Sequence, residues 1–109
     1  MAETASQLTE IVRRFQVELE KMGIRCERML LFGSHATGTA HEGSDIDLFV
    51  VSPDWARYSE RERLEMLGVA AVRLLEPIQA RGVTPEEIAT HQLAYIWEQV
   101  LEEQAVVIA

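Results

Sequence analysis

The chain has 109 residues, 48% of them apolar, which is enough for one domain with a real core and too few for a catalytic site plus a separate substrate domain. Ten basic against eighteen acidic residues give a net charge of -8, with Lys21 the only lysine, so long nucleic acid is disfavoured as a substrate: phosphate-backbone binding needs clustered Lys and Arg. A lone Cys26 excludes an internal disulfide, and with no apolar run near the ~20 residues of a membrane span and no signal-peptide pattern, the sequence reads as cytoplasmic.

A small nucleotide arriving with Mg²⁺ remains compatible with this charge, because the metal supplies the missing positive charge. An acidic surface also suits a basic protein partner. Cys26 fits a small, half-buried hydrophobe better than a reactive thiol.

Residues 4–22 place Leu8, Ile11, Val12, Phe15, Leu19 and Met22 at helical spacing, with Glu10, Arg13, Arg14, Glu18 and Lys21 opposite. The spacing predicts an amphipathic helix ended by Gly23, its apolar stripe turned to the core. Met29-Leu30-Leu31-Phe32 then reads as a short buried strand, and Ile46 to Val51 as another.

Between these strands lies Gly33-Ser34-His35-Ala36-Thr37-Gly38-Thr39-Ala40-His41-Glu42-Gly43-Ser44, and the second strand opens with Asp45-Ile46-Asp47. A helix beginning near Ser34 would point its free N–H groups and positive dipole end at a docked anion. Gly33 allows backbone to approach a phosphate with no Cβ in the way, and Ser34 adds a hydroxyl donor. Side chains alternate along a strand, so Asp45 and Asp47 share one face about 6.6 Å apart at Cα while Ile46 and Leu48 enter the core. Two such carboxylates repel until cations bind, and a pair of Mg²⁺ ions about 3.5–4 Å apart is the arrangement that serves in-line phosphoryl chemistry. Taken singly, each half has a plainer reading, a solvated loop and a chance Asp-x-Asp. It is the joint pattern, in register between two strands, that points to function.

Ser52-Pro53-Asp54 closes the second strand. Trp55 and Tyr58 anchor the connection over 53–59, as caps of the core or as the border of a base site. Ser59 and Glu62 form a capping-box pattern, and Leu64, Leu67, Ala71 and Leu74 predict a helix through residue 75. A third strand around Glu76 to Arg81, made ragged or peripheral by Pro77, would complete a crossover unit. Gly82 predicts a turn. Thr84, Pro85 and Glu87 then start another helix, which accounts for Glu86 and Glu87 by capping and the dipole. From His91, the repeat Leu93, Ile96, Trp97, Val100, Leu101 predicts a final helix to about Gln104, followed by a terminal strand over 105–108. The histidines and Cys26 lack zinc-ligand spacing, and no hydrolase elbow, Walker loop or dinucleotide fingerprint is present.

Gly33-Ser34, ten residues, then Asp45-x-Asp47 within Ser-Asp-Ile-Asp-Leu resembles the signature of the polymerase-β-type nucleotidyltransferase superfamily. Within it, the likeness is to the minimal nucleotidyltransferases, which pair with helical HEPN partners in toxin–antitoxin modules. Most of the chain follows that family's order of elements. The resemblance implies an α/β fold, a small mixed sheet flanked by helices, in one domain spanning 1–109. It implies transfer of a nucleoside monophosphate, AMP from ATP, to an acceptor hydroxyl, with Gly33 and Ser34 on the β- and γ-phosphates and Asp45 and Asp47 on two Mg²⁺ ions. It also implies a third carboxylate from the strand after the crossover helix. Glu76 is the only acid there, as metal ligand or general base; without the resemblance it reads as a helix-terminal surface residue. Relatives carry arginines just after Gly-Ser where this chain has His35, Ala36 and Thr37, and His35 or Arg28 is the candidate substitute. The acceptor implied is a hydroxyl on a HEPN-type toxin, which makes this chain an antitoxin. The alternatives are a binding module that has lost the reaction and neutralises its partner by occlusion, and an enzyme for a small hydroxylated compound such as an antibiotic.

Overall fold

The helical stripe predicted near the N-terminus forms α1 (Ala5–Lys21), in a computed structural model that describes residues 5–41 and 43–109; Thr4, the first residue of the predicted helix, lies outside that range. Leu8, Ile11, Val12, Phe15 and Leu19 are buried on one face. Gly23, at φ 90°, ends the helix, and its N–H donates back to Glu20 O at 3.0 Å.

Four strands make the sheet: β1 (Arg28–Phe32), β2 (Ile46–Val51), β3 (Ile78–Val83) and β4 (Val106–Val107), in the order β3-β2-β1-β4. β1 runs antiparallel to β2 and β4, while β3 runs parallel to β2. The parallel pair is joined by α3 (Glu60–Leu74), the crossover that the capping box announced. Both faces of the sheet are covered. Met29, Leu31, Ile46, Leu48, Val50 and Ile78 pack with α1 and α3, while Leu30, Phe49, Val51 and Val83 pack with residues of α5 (Tyr95–Glu103). A strand buried on both faces has no polar side, which is why β2 after Asp47 is apolar without alternation.

Three expectations shift. The third strand lies two residues later than 76–81, because Pro77 has no N–H for the ladder; it is an edge strand, as Pro77 implied. Gly82 does not turn the chain but stays in β3, where a Cβ would lie 2.7 Å from the Trp55 ring. Its role is to let the indole in, and Trp55, fully buried, donates from Nε1 to Val50 O at 3.1 Å. On α3 the buried stripe is Arg63, Leu67, Ala70, Ala71 and Leu74, and Leu64 is 50% exposed.

The second half of the chain is also more broken than its periodicity. A short helix, α4 (Pro85–Ala89), follows its Thr84 capping box, and His91 at φ 53° interrupts the path before α5. The terminal strand shrinks to Val106–Val107, opposite Leu30 and Leu31, with Met29 N–H donating to Ala109 O at 2.7 Å.

Arg63 joins three of these elements. Its guanidinium donates to Tyr58 O at 3.1 Å and Gly82 O at 3.1 Å, and grips both oxygens of Glu87 at 2.9 and 3.2 Å. Burial works to raise the Glu87 pKa, but hydrogen bonds from Arg63 and from the Thr84 backbone outweigh it, and the net shift is downward. A lowered carboxylate pKa contributes stability above the ordinary value of 4.5, and that contribution is lost as pH falls through the folded-state value. Arg63→Met strips a half-buried carboxylate of its partner, so urea unfolding should show a loss of roughly 1.5–3 kcal/mol at pH 7, the range for hydrogen bonds to charged groups. That loss should shrink on acidification below pH 4.5; a pH-independent loss would assign it to packing instead.

Candidate active site

β1 delivers its last residue, Phe32, directly opposite Asp47 of β2. The next residue, Gly33, adopts φ 71° and ψ -153° and presses its backbone onto that carboxylate. A Cβ at this position would lie 2.2 Å from Asp47 Oδ2 and 3.1 Å from Cγ. Glycine is therefore required twice, for its positive φ and for the space.

The chain then makes one helical turn, α2 (Ser34–Thr37), with the Ala36 and Thr37 N–H groups donating to Gly33 O at 3.0 and 3.1 Å. This is the helix start expected near Ser34. Gly33 N–H donates to Oε1 of Gln104 at 3.3 Å, tying the end of α5 to the turn.

Asp45 is exposed and Asp47 half-buried, while Ile46 and Leu48 are fully buried as the alternation required. The Asp47 pKa is raised, first by burial and next by the charge of Asp45, with His35 of α2 acting in the opposite direction. Hard carboxylate oxygens crowded beside a glycine-lined cradle suit a divalent cation such as Mg²⁺, which removes the repulsion between them. Asp45 and Asp47 are the residues that fit it.

Both aspartates open into a cleft of about 360 Å³ that they share with Phe32, Gln79, Arg81 and Trp97. Trp97 stands edge-on to Phe32 and Phe49, with ring centroids at 6.0 and 5.9 Å. The Arg81 guanidinium lies 4.3 Å from the centre of the Trp97 ring. A larger cleft of about 630 Å³ runs between α3 and β3, and meets the first at Leu64, Gln79 and Ala80.

Glu76 is not part of this group. It follows Leu75, the left-handed residue that ends α3, and it lines hollows with Gln7, Glu10, Ile11 and Arg14 of α1 and with residues of α3. The reason is that Glu76 lies before the strand: Ile78 N–H donates back to Glu76 O at 2.8 Å, a tight turn across Pro77 that leaves Glu76 between α3 and β3, beside α1, two residues short of the first ladder position. Gln79 is the residue of β3 in register with Asp47, and Arg81 is opposite Phe49. Among the described residues, no group of three or more His, Cys, Asp or Glu side chains gathers to hold a metal.

Trp55 is sealed in the core and cannot border a base. The aromatic residues at the cleft are Phe32 and Trp97, the second from the helical repeat that predicted the final helix. The Cys26 thiol is pushed up to about 12, by burial and then by Glu20, and is not a nucleophile.

The nucleotidyltransferase domain family model matches residues 10–106. The chain belongs to the nucleotidyltransferase domain family. Over 62 residues it is 37% identical to a Methanocaldococcus jannaschii protein named "Putative protein adenylyltransferase MJ1215", covering 54% of this chain and 71% of that one. Among solved structures, a toxin–antitoxin with AMP-PNP superposes with a TM-score of 0.60 at 22% identity, over 87% of this chain and 70% of its own. A MntA–HpeT toxin–antitoxin mutant does so with 0.57 at 17%, over 98% and 73%. At such identities these two likenesses establish the fold. The nucleotidyltransferase sheet is thus the one that holds Gly33 against Asp47 here.

The residues that the sequence reading missed are Gln79, Arg81 and Trp97. Register with Asp47 identifies the first two once the strand is started after Pro77 rather than at Glu76.

A raised aspartate pKa favours folding below the ordinary value of 3.8 and loses that benefit as pH rises through the folded-state value. At neutral pH, Asp47→Asn should therefore melt above wild type in chelator and gain nothing from Mg²⁺, whereas wild type gains on adding it. Equal melting temperatures at pH 8, with equal responses to Mg²⁺, would refute the assignment of Asp47.

Proposed function

We propose that this nucleotidyltransferase moves AMP from ATP to a hydroxyl group of a helical HEPN-type protein, and that it acts in this way as an antitoxin dependent on Mg²⁺. The observation that carries the reading is the contact of Gly33 with Asp47. It sets the backbone of the Gly33-Ser34 turn against one of the two carboxylates that open into the cleft.

Gly33 and Ser34 bind the β- and γ-phosphates through backbone N–H and hydroxyl groups, and so orient the α-phosphorus toward Asp45 and Asp47. Asp45 and Asp47 hold the metal, which when bound neutralises phosphate charge and favours departure of pyrophosphate. The acceptor hydroxyl oxygen forms a bond to the α-phosphorus as the bond to the bridging oxygen of pyrophosphate breaks, pyrophosphate leaving with that electron pair and the hydroxyl proton passing to solvent. Binding phosphate at Gly33 also competes with the 3.3 Å hydrogen bond to Gln104, so nucleotide entry and the end of α5 are linked.

Support for a protein acceptor comes from the adenylyltransferase name of the archaeal relative, and for ATP and a toxin partner from the toxin–antitoxin neighbours. At about 360 Å³ the cleft is near the small end of ligand pockets, which suits a macromolecular acceptor that brings its own surface over a small compound that needs enclosing.

One observation favours a second reading, a fold retained for occlusion alone: β3 presents Gln79 and Arg81 where a further carboxylate would serve catalysis. Incubation with Mg²⁺, α-labelled ATP and the product of the adjacent gene decides between them. Label should appear on the partner and fall by about 10²-fold or more with Asp47→Asn. Tight binding without label, equally strong in the variant, would overturn transfer and select occlusion.

A further inference from the structure

Among the described residues, Arg81 is the one cationic side chain that lines the cleft holding Asp45 and Asp47. β3 runs parallel to β2 with Gln79 in register with Asp47 and Arg81 with Phe49, so both side chains leave the sheet on the Asp47 face. Neither residue can ligate a cation as a carboxylate does. Among the described residues no third acid joins the pair.

A two-cation site needs enough anionic oxygen to bridge two ions about 3.5–4 Å apart. Here two carboxylates neutralise one divalent ion. A second ion would have to share Asp45 and Asp47 with the first, draw its other ligands from the triphosphate, and do so beside a guanidinium that repels it. The guanidinium, in turn, has the charge and the paired donors that a phosphate takes from a metal.

Its present contacts leave it available for that task. It stacks 4.3 Å above Trp97, which fixes its plane, and Nη1 reaches Glu60 Oε2 at 3.3 Å. Glu60 is 65% exposed, so that ion pair is worth little and costs little to exchange for a phosphate. His35, whose charge acts on Asp47, is the other basic group near the carboxylates.

We infer that Arg81 stands in for a second cation: the site takes a single divalent ion on Asp45 and Asp47, and the guanidinium supplies the other positive charge to the bound triphosphate. This rests on the nucleotidyltransferase reading above and specifies how that site balances charge.

The test is Mn²⁺ titrated into a one-to-one complex of the full chain with a non-hydrolysable ATP analogue, followed by electron paramagnetic resonance. Wild type should bind one Mn²⁺, with no spin coupling between ions. Arg81→Asp should bind two and show a coupled pair. Arg81→Gln should keep one ion and weaken the analogue roughly tenfold or more, the loss that accompanies removal of a charged hydrogen bond. Two ions in wild type, or one in a folded Arg81→Asp protein, would overturn the role of Arg81 while leaving the transferase reading intact. If Arg81→Asp does not fold, unchanged analogue affinity in Arg81→Gln overturns it. No Mn²⁺ and no analogue bound by wild type would remove both this inference and the function on which it rests.

Discussion

A missing methyl group at position 33 is the constraint on which the site depends. With no Cβ, the backbone between β1 and α2 lies against the Asp47 carboxylate, where any side chain would collide at 2.2 Å. That contact exists only because β1 and β2 pair with Phe32 opposite Asp47. The register is locked from both sides, since Met29, Leu31, Ile46, Leu48 and Val50 fill one core while Leu30, Phe49 and Val51 fill the other. A slip of one residue would exchange the two sets and bury Asp47.

The same contact makes the site electrostatically costly. Asp47 is half-buried beside Asp45, and burial and the neighbouring charge both resist its ionisation. The rest of the fold compensates with groups remote from the cleft, among them the Arg63 grip on Glu87 and the Gly82 carbonyl, which pins α3, β3 and α4 together. This division, a firmly knit scaffold around a mouth that a cation would relieve, is the usual relation between stability and a charged site.

Much of this is legible beforehand because it depends on neighbours in sequence. Helical spacing marks α1, both capping boxes appear with their reciprocal hydrogen bonds, and the Asp-Ile-Asp alternation splits between cleft and core. Where sequence and structure part, a distant residue decides. Gly82 stays in its strand because Trp55 occupies the space beside it, and Leu64 is left half-exposed because Arg63 turns inward to reach Glu87. Glu76 is the only acid in its stretch, but the turn across Pro77 leaves it outside the strand and beside α1, away from the aspartates.

By itself, then, the order of residues determined the elements, the glycine–serine turn and the twin aspartates, since each follows from spacing of two or about 3.6 residues and from local backbone chemistry. The tertiary structure alone decided which side chains face those aspartates. Gln79, Arg81 and Trp97 come from β3 and α5, and their meeting with Asp45 and Asp47 depends on the parallel register of β2 with β3 and on where α5 packs. Those are long-range pairings, set by how the two cores close on either side of the sheet, and no local pattern encodes them.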